Sequence, residues 1–548
     1  MRNRAKNATL SVQAIAGSAV VLLGMNIGED AVSGLLGFAI YRIDHTEGEE
    51  KWLPNFLTFE VLDKGEEYGP NYSSETSPIQ EFLWGDYTVK EEHTYTYRVV
   101  AMYGEPGALK SGDAVEVEIT TESQLDNTHA VYFNRGVAAS QAYARRFNNQ
   151  HPDKVPRREA YKWLSRGLEE ALLRFIGRAK GNRWSLRAAL YEFDYLRIHE
   201  AFRIAADSGA DVQIIVDCIA NRDNNPRGRN LEAIEKAGIE NLIIQRQNSK
   251  KIAHNKFIVL LKNDKPVEVW TGSTNITDGG IFGQSNVGHI VRDPEIAAAY
   301  FDYWQVLSED PNIDRLRNWT EKNTPVLCGQ STPPAIQPIF SPRRSLEALE
   351  CYAQLMDQAK QSVFLTAAFG VTQQLREMFE KEKPYLRYLL LEKENAKIET
   401  INRNPSNRVA AGAYLGKGGW GQWLNEKLTG FNRHVGFVHT KYMLIDPLSD
   451  HPIVITGSAN FSEASTNQND ENMMVIRGDT RVADIYLTEF MRLFTHFRFR
   501  GKVQEHDETV HKSAQPLPKK LYLRDSDRWA RRFYVKDSPR EKERLFFS

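Results

Sequence analysis

The sequence predicts a multidomain protein in which an all-β sandwich precedes an α/β core built from two similar halves. Three observations predict this fold class. Residues 1–121 show short alternating strands, the chain then changes to strands that alternate with helices, and one stretch of sequence occurs twice. The length of 548 residues also exceeds one ordinary domain and suits about three or four.

The front of the chain, residues 1–121, has the pattern of an antiparallel β-sandwich. Its clearest strands are 18–26, 37–43, 95–102 and 114–120. Turn-forming clusters such as EGEE and GEPG separate the strands, as expected for a sandwich. GFAIYRID and HTYTYRVVAMY resemble strands of the fibronectin type III domain. That resemblance implies a module that binds a protein partner or acts as a spacer.

Two similar α/β halves follow the front module. The first shows a strand at 186–191, a helix at 196–206 and a strand at 212–216, and the same order recurs at 363–367, 372–381 and 386–391. The proline-rich residues 323–342 are predicted to link the halves. We place the first half at 122–330, the second at 331–512 and a basic C-terminal tail at 513–548.

The composition excludes several classes of protein. Hydrophobic residues make up 41% of the chain and charged residues 26%, which is typical of a soluble globular protein. No apolar run approaches the roughly 20 residues that span a bilayer, and polar residues interrupt the apolar N-terminal stretch. We therefore expect no membrane anchor and no signal peptide. Three widely spaced cysteines, Cys218, Cys328 and Cys351, argue against a disulfide framework and favour a reducing, cytoplasmic setting.

The net charge of -1 conceals an uneven distribution. Residues 1–122 contain 9 Lys and Arg against 20 Asp and Glu, a net of -11, so the other residues carry +10. A basic body indicates a polyanionic partner. The opposed charges also suggest that the acidic module covers a basic cleft, in which case its deletion would raise activity.

The strongest signal is an internal duplication. IAHNKFIVLLKNDKPVEVWTGSTNIT begins at Ile252, and FVHTKYMLIDPLSDHPIVITGSANFS begins at Phe437. One offset relates the matched positions: 439 - 254, 441 - 256 and 457 - 272 all equal 185. Each copy holds a His-x-Lys pair and a Gly-Ser-x-Asn turn.

The duplicated residues suit phosphate chemistry. Lysine and asparagine side chains donate hydrogen bonds to an oxyanion, and two histidines allow one to attack phosphorus while the other protonates the leaving oxygen. No metal and no cofactor are required. The matched groups are His254, Lys256, Ser273 and Asn275 in the first copy and His439, Lys441, Ser458 and Asn460 in the second.

Paired HxK and GSxN motifs resemble the phospholipase D superfamily, whose members cleave phosphodiesters through a phosphohistidine. The resemblance covers residues 128–500 and implies a two-repeat α/β core with an α-β-α layer arrangement and one shared site. It implies catalytic roles for the motif His, Lys and Asn residues, supported by Ser273 and Ser458. The family's aspartate after the lysine is kept as Asp446, with a supporting role, while the first copy has Leu261 there.

The family also places a carboxylate after each GSxN turn to orient a histidine. Glu471 stands at that position in the second copy, and the offset of 185 places Asn286 there in the first. We expect Glu471 to orient the histidine of its own copy and to make His439 the general acid. His254 is then the nucleophile, and Asn286 has a supporting role.

The substrate class is predicted from charge. Arg246, Lys250 and Lys251 precede the first motif and are expected at the rim of the site, and a basic tail carries the interleaved aromatic residues Tyr522, Trp529, Phe533 and Tyr534. Such residues suit neutralisation and stacking of nucleic acid, with DNA favoured. Docking of the tail on the body is the equal alternative. There are two alternative functions. One is a phospholipase D-type hydrolase of glycerophospholipids, and the other is a regulated or inactive member of the family that binds nucleic acid.

Two loops are predicted near the pocket. Tyr191, Glu192 and Phe193 resemble a substrate-side loop of family members and fit packing at a strand end equally well. The glycine-rich GKGGWG at 416–421 suits a flexible loop better than a phosphate cradle, because no helix-starting lysine follows it.

Overall fold

A computed structural model describes residues 1–63, 72–136, 140–220, 226–328, 330, 332–393, 398–412, 438–512 and 521–548. The predicted loop at 416–421 lies outside these ranges. Within them, no helix is both long enough and apolar enough to cross a membrane.

The front module is an all-β sandwich, as predicted. One sheet has the strand order β1-β2-β3-β8 and the other β10-β9-β4-β5, and all their pairings are antiparallel. Strands β6 and β7 form a separate short ribbon. The strands are β1 Arg2–Lys6, β2 Leu10–Ala16, β3 Val21–Ile27, β4 Gly37–Asp44, β5 Glu49–Trp52, β6 Pro54–Asn55, β7 Tyr72–Ser73, β8 Leu83–Asp86, β9 Thr94–Glu105 and β10 Ala108–Thr120.

The body of the chain forms two seven-stranded mixed sheets. The first has the order β11-β17-β16-β15-β12-β13-β14 and the second β18-β24-β23-β22-β19-β20-β21. Their strands are β11 His129–Phe133, β12 Trp184–Leu190, β13 Asp211–Asp217, β14 Ile243–Arg246, β15 Lys256–Lys262, β16 Lys265–Gly272, β17 Val287–Val291, β18 Ile336–Ser341, β19 Ser362–Ala367, β20 Leu386–Leu391, β21 Asn407–Ala411, β22 Tyr442–Ile445, β23 Ile453–Gly457 and β24 Glu471–Arg477.

The two sheets have the same topology, so the sequence duplication is a duplication of structure. In each half three strands run parallel and the motif strand pairs antiparallel to the first of them. Both sheets bury hydrophobic residues on both faces, which explains why strands such as LRYLLL lack polar alternation.

Helices cover the sheets on both sides. One buried cluster joins α6 and α12 to both sheets, while separate clusters pack α3 and α4 on the first sheet and α8 and α9 on the second. The helices are α1 Ser140–Phe147, α2 Glu159–Ser165, α3 Leu168–Ile176, α4 Leu196–Asp207, α5 Arg227–Ala237, α6 Pro294–Ser308, α7 Ile313–Asn323, α8 Glu347–Asp357, α9 Gln373–Glu380, α10 Ile398–Arg403, α11 Glu463–Asn467, α12 Thr480–Lys512, α13 Arg528–Arg531 and α14 Pro539–Phe547.

The predicted linker at 323–342 is partly structured. Its residues Ile336–Ser341 form β18, the edge strand of the second sheet, and Ile339 and Phe340 are buried. An edge strand tolerates proline because one side of its backbone makes no ladder hydrogen bonds. Pro338 is therefore compatible with this strand, although in the sequence it favoured a linker.

The described part of the C-terminal tail docks on the sandwich. Trp529 and Phe533 lie in the sandwich core, each 3% exposed, and the Trp529 indole donates to the Leu35 carbonyl at 2.8 Å. Tyr522 and Tyr534 donate their hydroxyl protons to Asp63 and the Ile27 carbonyl. The prediction that these aromatic residues stack on nucleic acid is therefore wrong, because the fold uses them for packing.

Two cysteines also depart from expectation. Cys328 and Cys351 form a disulfide with a Cα–Cα distance of 5.5 Å, whereas their spacing and odd number argued against a disulfide framework. The bond joins the segment after α7 to helix α8. Cys218 is a buried free thiol.

Candidate active site

Each motif histidine lies just before an inner strand of its half. Lys256 begins β15 and Lys441 directly precedes β22, and each ammonium donates to the carbonyl of its own histidine, at 2.7 Å from Lys256 to His254 and 2.6 Å from Lys441 to His439. All four side chains are at most about 6% exposed. The HxK spacing thus forms one compact unit per half.

The first histidine is held by a residue of the second half. Nδ1 of His254 lies 2.9 Å from both carboxylate oxygens of Glu471, and Ser458 donates to Oε2 of the same carboxylate at 2.7 Å. Asn469 donates to Oε1 at 3.1 Å. Because an ionised carboxylate only accepts, His254 carries its proton on Nδ1 and presents the Nε2 lone pair to the pocket.

The second histidine is held in the same way by the first half. Nδ1 of His439 lies 2.9 Å from Oδ1 of Asn286, which also accepts from Ser273 at 2.8 Å. Nδ2 of Asn286 donates to the Gly280 carbonyl at 2.8 Å, which orients the amide. The Asn286 oxygen therefore faces His439 and accepts its Nδ1 proton.

These contacts correct the predicted pairing. Glu471 orients His254 rather than His439, and Asn286 orients His439 rather than His254. The exchange arises because the two halves meet through backbone contacts at the site, where the His254 amide donates to the Asp470 carbonyl and the His439 amide to the Ser285 carbonyl. The residue after each of those carbonyls then faces the histidine of the other half.

The two motif lysines are buried and lie close enough to interact electrostatically. Burial lowers the pKa of Lys256 to about 8, against the opposing charges of Glu471, Glu192 and Asp217. Burial and the neighbouring Lys256 hold the pKa of Lys441 well below its usual range. Two ammonium groups buried together favour an anion between them.

The histidines are neutral in the free site at neutral pH. Burial, together with Lys256, lowers the pKa of His254 to about 4 despite the opposing charge of Glu471. Burial and then Lys441 lower the pKa of His439 well below its usual value. A neutral His254 has a free lone pair, as a nucleophile requires.

Two carboxylates that the sequence analysis did not identify support the motif backbones. Asp217 at the end of β13 accepts the Ala253 amide at 2.8 Å, and Glu392 directly after β20 accepts the Val438 amide at 2.7 Å. Both carboxylates thus lie at the carboxyl end of the second parallel strand of their half. Each accepts the backbone amide of the residue that precedes a motif histidine. The periodicity of the strands locates these positions, but their function follows only from the folded structure.

The glycine of each GSxN turn is sterically required. A Cβ on Gly272 would lie 2.2 Å from the Val287 carbonyl oxygen, and one on Gly457 would lie 2.3 Å from that of Asn472. Gly272 also has a φ of +131°, which L side chains rarely adopt. These close approaches place Ser273 and Ser458 against the residues that orient the histidines.

The loop after β12 lines the pocket on the first half's side. The Tyr191 ring centroid lies 4.8 Å from that of His254, and the Lys256 ammonium lies 5.3 Å from the Tyr191 ring. Glu192 accepts from the Asn275 amide and from Arg229. Tyr191 and Glu192 therefore lie beside motif residues of the first half, whereas Phe193 is fully buried in the core.

The predicted rim residues divide into two groups. Lys250 and Lys251 are exposed four and three residues before His254. Arg246 is 1% exposed and donates to Asp470 at 2.9 Å and to Asp310 at 2.6 Å. The prediction that Arg246 lies at the rim is wrong, because it is folded beneath the site and holds Asp470.

Asp446 lies at the far end of β22 from Lys441. Its carboxylate accepts the backbone amides of Lys360, Gln361 and Ser362 and so fixes the entry to β19. The contacts support the fold of the second half, and they involve no catalytic side chain.

The described residues bring nearly all predicted site groups together. The histidines and lysines interact electrostatically with one another, and the serines and their partners complete the two histidine units. The groups that these contacts join are His254, Lys256, Ser273, Asn275, Asn286, His439, Lys441, Ser458 and Glu471. Asn460 belongs to the second GSxN turn, and its side-chain oxygen is buried.

Comparison with solved structures finds similar folds at low sequence identity. Phosphatidylserine synthase from Haemophilus influenzae Rd KW20 is 13% identical with a TM-score of 0.42, covering 64% of this chain and 90% of that one. Nuc from Salmonella typhimurium, titled a phospholipase D family member, is 20% identical with a TM-score of 0.22, covering 30% and 96%. The yeast tyrosyl-DNA phosphodiesterase is 11% identical with a TM-score of 0.29, covering 57% and 87%.

The family comparison is more decisive. No curated protein matches the chain in sequence. A family model described as cardiolipin synthase, PLD-like domain, matches it twice, over residues 172–306 and 352–494, which together make up just over half of the chain. The chain therefore belongs to this family of phospholipase D-like domains.

Proposed function

We propose that this protein is a metal-independent phosphodiesterase that acts through a phosphohistidine on His254, with DNA as its substrate. The observation that carries the proposal is the paired arrangement at the pocket. Each half supplies one His-Lys unit, and each histidine is oriented through Nδ1 by the other half, so that both Nε2 atoms serve the pocket.

Binding of a phosphodiester would relieve the repulsion between the two buried lysines. Burial and the neighbouring Lys256 lower the affinity of Lys441 for a proton, and an anion between the two lysines opposes this effect. The added negative charge also raises the pKa of His439, whose imidazole is neutral in the free site. Substrate binding thereby favours the protonated form of His439 that a general acid requires.

In the first step, Nε2 of His254 attacks phosphorus and the bond to the leaving oxygen breaks. The leaving oxygen takes the bond's electron pair and a proton from Nε2 of His439. The resulting phosphohistidine ring is positively charged, and the Glu471 carboxylate 2.9 Å from its Nδ1 stabilises that charge. The sequence predicted this carboxylate as the partner of the general acid. We retain His254 as the nucleophile for a different reason, which is that the carboxylate stabilises its cationic intermediate.

In the second step, the neutral His439 accepts a proton from water, and the oxygen of that water attacks phosphorus. The phosphorus–nitrogen bond breaks, its electron pair returns to His254, and a phosphomonoester is released. The amide oxygen of Asn286 keeps His439 in the Nδ1–H form throughout, so Nε2 alternates between donor and acceptor.

Charge supports nucleic acid as the substrate. The chain beyond residue 122 carries a net +10, and the exposed Lys250 and Lys251 lie close in sequence to the nucleophile. A polyanion gains more from such a surface than a single phosphodiester does. DNA remains the favoured polymer, and hydrolysis of glycerophospholipids is the alternative that the experiment must separate.

The proposal is tested by parallel assays in EDTA. We expect nicking of plasmid DNA or cleavage of single-stranded DNA that His254→Ala abolishes. The matched control is His451→Ala, because His451 is an exposed histidine of the second half. Cleavage of RNA alone, release of lipid head groups from anionic vesicles without nicking, or activity that survives in His254→Ala would each contradict the proposal.

A further inference from the structure

The loops that line the pocket differ between the two halves at one position. In the first half β12 ends at Leu190 and α4 begins at Leu196, and in the second β19 ends at Ala367 and α9 begins at Gln373. The offsets agree, because 367 - 190 and 373 - 196 both equal 177. Both loops therefore have the same length, and Phe369 is the structural counterpart of Glu192.

Strand register places the second loop beside His439. In the first half Leu190 pairs with Lys256, and the next residue, Tyr191, contacts the His254 ring. In the second half β19 pairs with β22 in the same sense, and the hydroxyl of Thr366 donates to the Thr440 carbonyl at 2.9 Å. The loop after Ala367 thus begins where His439 and Lys441 lie.

The two counterparts have opposite chemistry. Glu192 is a carboxylate, 15% exposed, that engages both Asn275 and Arg229. Phe369 is an uncharged aromatic side chain, 62% exposed. In the described structure the side-chain oxygens of Asn275 and Asn460 are both buried without a hydrogen-bond partner, and the side-chain nitrogen of Asn275 donates to Glu192. The loop beside His439 therefore carries an exposed aromatic side chain where the loop beside His254 carries a carboxylate.

We propose that Phe369 is the platform on which a nucleobase of the substrate stacks, on the side of the oxygen that His439 protonates. This inference rests on the proposed function, because it takes His439 as the general acid. A phosphate-binding pocket next to an exposed aromatic ring matches a nucleotide, which joins a phosphate to a planar base. Phenylalanine offers no hydrogen bond to a base edge, so the stacking is tolerant of sequence.

The arrangement also assigns a direction to the substrate. In-line attack by His254 places the leaving oxygen on the opposite side of phosphorus, where His439 protonates it. The leaving group, with its base, occupies the His439 side.

The experiment compares ligand affinities by calorimetry. The ligands are inorganic phosphate, ribose 5-phosphate, glycerol 3-phosphate and adenosine 5′-monophosphate. We expect the wild-type protein to bind the adenine nucleotide about 5-fold or more tightly than ribose 5-phosphate, because aromatic stacking contributes on that order. Phe369→Ala should remove this preference and leave the affinity for inorganic phosphate unchanged, while Phe369→Trp should keep it.

A control variant separates a local effect from a general loss of exposed aromatic surface. Phe56→Ala removes a phenylalanine of the sandwich that is 50% exposed, and it should leave all four affinities unchanged. An undiminished nucleotide preference in Phe369→Ala would overturn the inference. A preference for glycerol 3-phosphate that Phe369→Ala abolishes would overturn it as well and assign the platform to a lipid. Failure of the wild-type protein to bind inorganic phosphate would instead count against the proposed function itself.

Discussion

Glu471 and Asn286 occupy equivalent positions in the two halves and give the two histidines different chemistry. Both accept a hydrogen bond from a GSxN serine and from Nδ1 of a histidine. Only Glu471 carries a charge, and its pKa is lowered because the contacts with His254, Lys256 and Ser458 outweigh its burial. One pair thus stabilises a cationic phosphohistidine, and the other holds a histidine that must gain and lose a proton.

Replacement of Glu471 by glutamine tests this division. Glu471 raises the pKa of His254, so its neutralisation lowers a pKa that is already about 4. The acidic limb of kcat/KM should move to lower pH, since the nucleophile stays neutral further into acid. The plateau should fall by on the order of 10²-fold or more, because the charged intermediate loses its partner.

The measurement is a pH–rate profile with bis(4-nitrophenyl) phosphate. Asn286→Asp provides the reciprocal variant, because it gives His439 the carboxylate and should raise the pKa of that histidine. A Glu471→Gln protein with full activity, or an acidic limb that moves to higher pH, would contradict the assignment.

The sequence motifs predicted which residues belong to the site, but they did not predict which residues form hydrogen bonds with one another. The spacing of HxK and GSxN is enough to identify both histidines, both lysines and both serines. The sequence offset joined Glu471 to His439 of the same half, whereas the twofold meeting of the halves joins it to His254. Arg246 shows the same limit, because its charge suggested a rim position and its buried pairing with Asp470 depends on tertiary structure.

At the scale of elements, hydrophobic patterning located most strands and helices of the core. The strand predicted at 386–391 has those bounds in the structure, and the helix predicted at 196–206 ends at Asp207. The patterns were informative because both sheets are covered by helices and their strands are continuously apolar. The edge strand β18 was missed because it contains Pro338 and follows other prolines that are typical of a linker.

The C-terminal tail acts as a packing element. Trp529 is 3% exposed and stacks on Phe82 with ring centroids 5.4 Å apart. We expect Trp529→Ala to lower the free energy of unfolding by about 3–5 kcal/mol, since it opens a cavity in the sandwich core. Thermal denaturation measures this effect, with Val535→Ala as a control because Val535 is 58% exposed.

The same variant also tests the rejected role of the tail. If the folded Trp529→Ala protein binds single-stranded DNA as tightly as the wild type, the aromatic residue serves packing alone. A variant of unchanged stability that loses DNA affinity would restore the stacking interpretation.

At the scale of the whole molecule, the acidic sandwich is fastened to the basic body. The Arg2 guanidinium donates to Asp484 of α12 at 2.7 Å and to the Pro447 carbonyl at 2.6 Å. The tail adds Trp529 and Phe533 to the sandwich core. Its helix α14 places Phe547 in the buried cluster that joins α6 and α12 to both sheets of the body. Deletion of residues 1–121 would remove the partners of these groups, so it no longer tests whether the module covers the cleft.

The two halves together form one site, and neither half is complete without the other. Each half supplies one His-Lys unit and the residue that orients the histidine of its partner half. The mechanism of the whole molecule therefore depends on which of the two histidines is the nucleophile.

The position of the phosphoryl adduct tests that assignment. His439→Ala, mixed with bis(4-nitrophenyl) phosphate, should accumulate the intermediate, because 4-nitrophenolate leaves without a proton while hydrolysis lacks its base. Peptide mass spectrometry under alkaline conditions should then find the adduct on His254, and His254→Ala should carry none. An adduct on His439 of the His254→Ala protein, or turnover by that protein, would show that His254 is not the nucleophile.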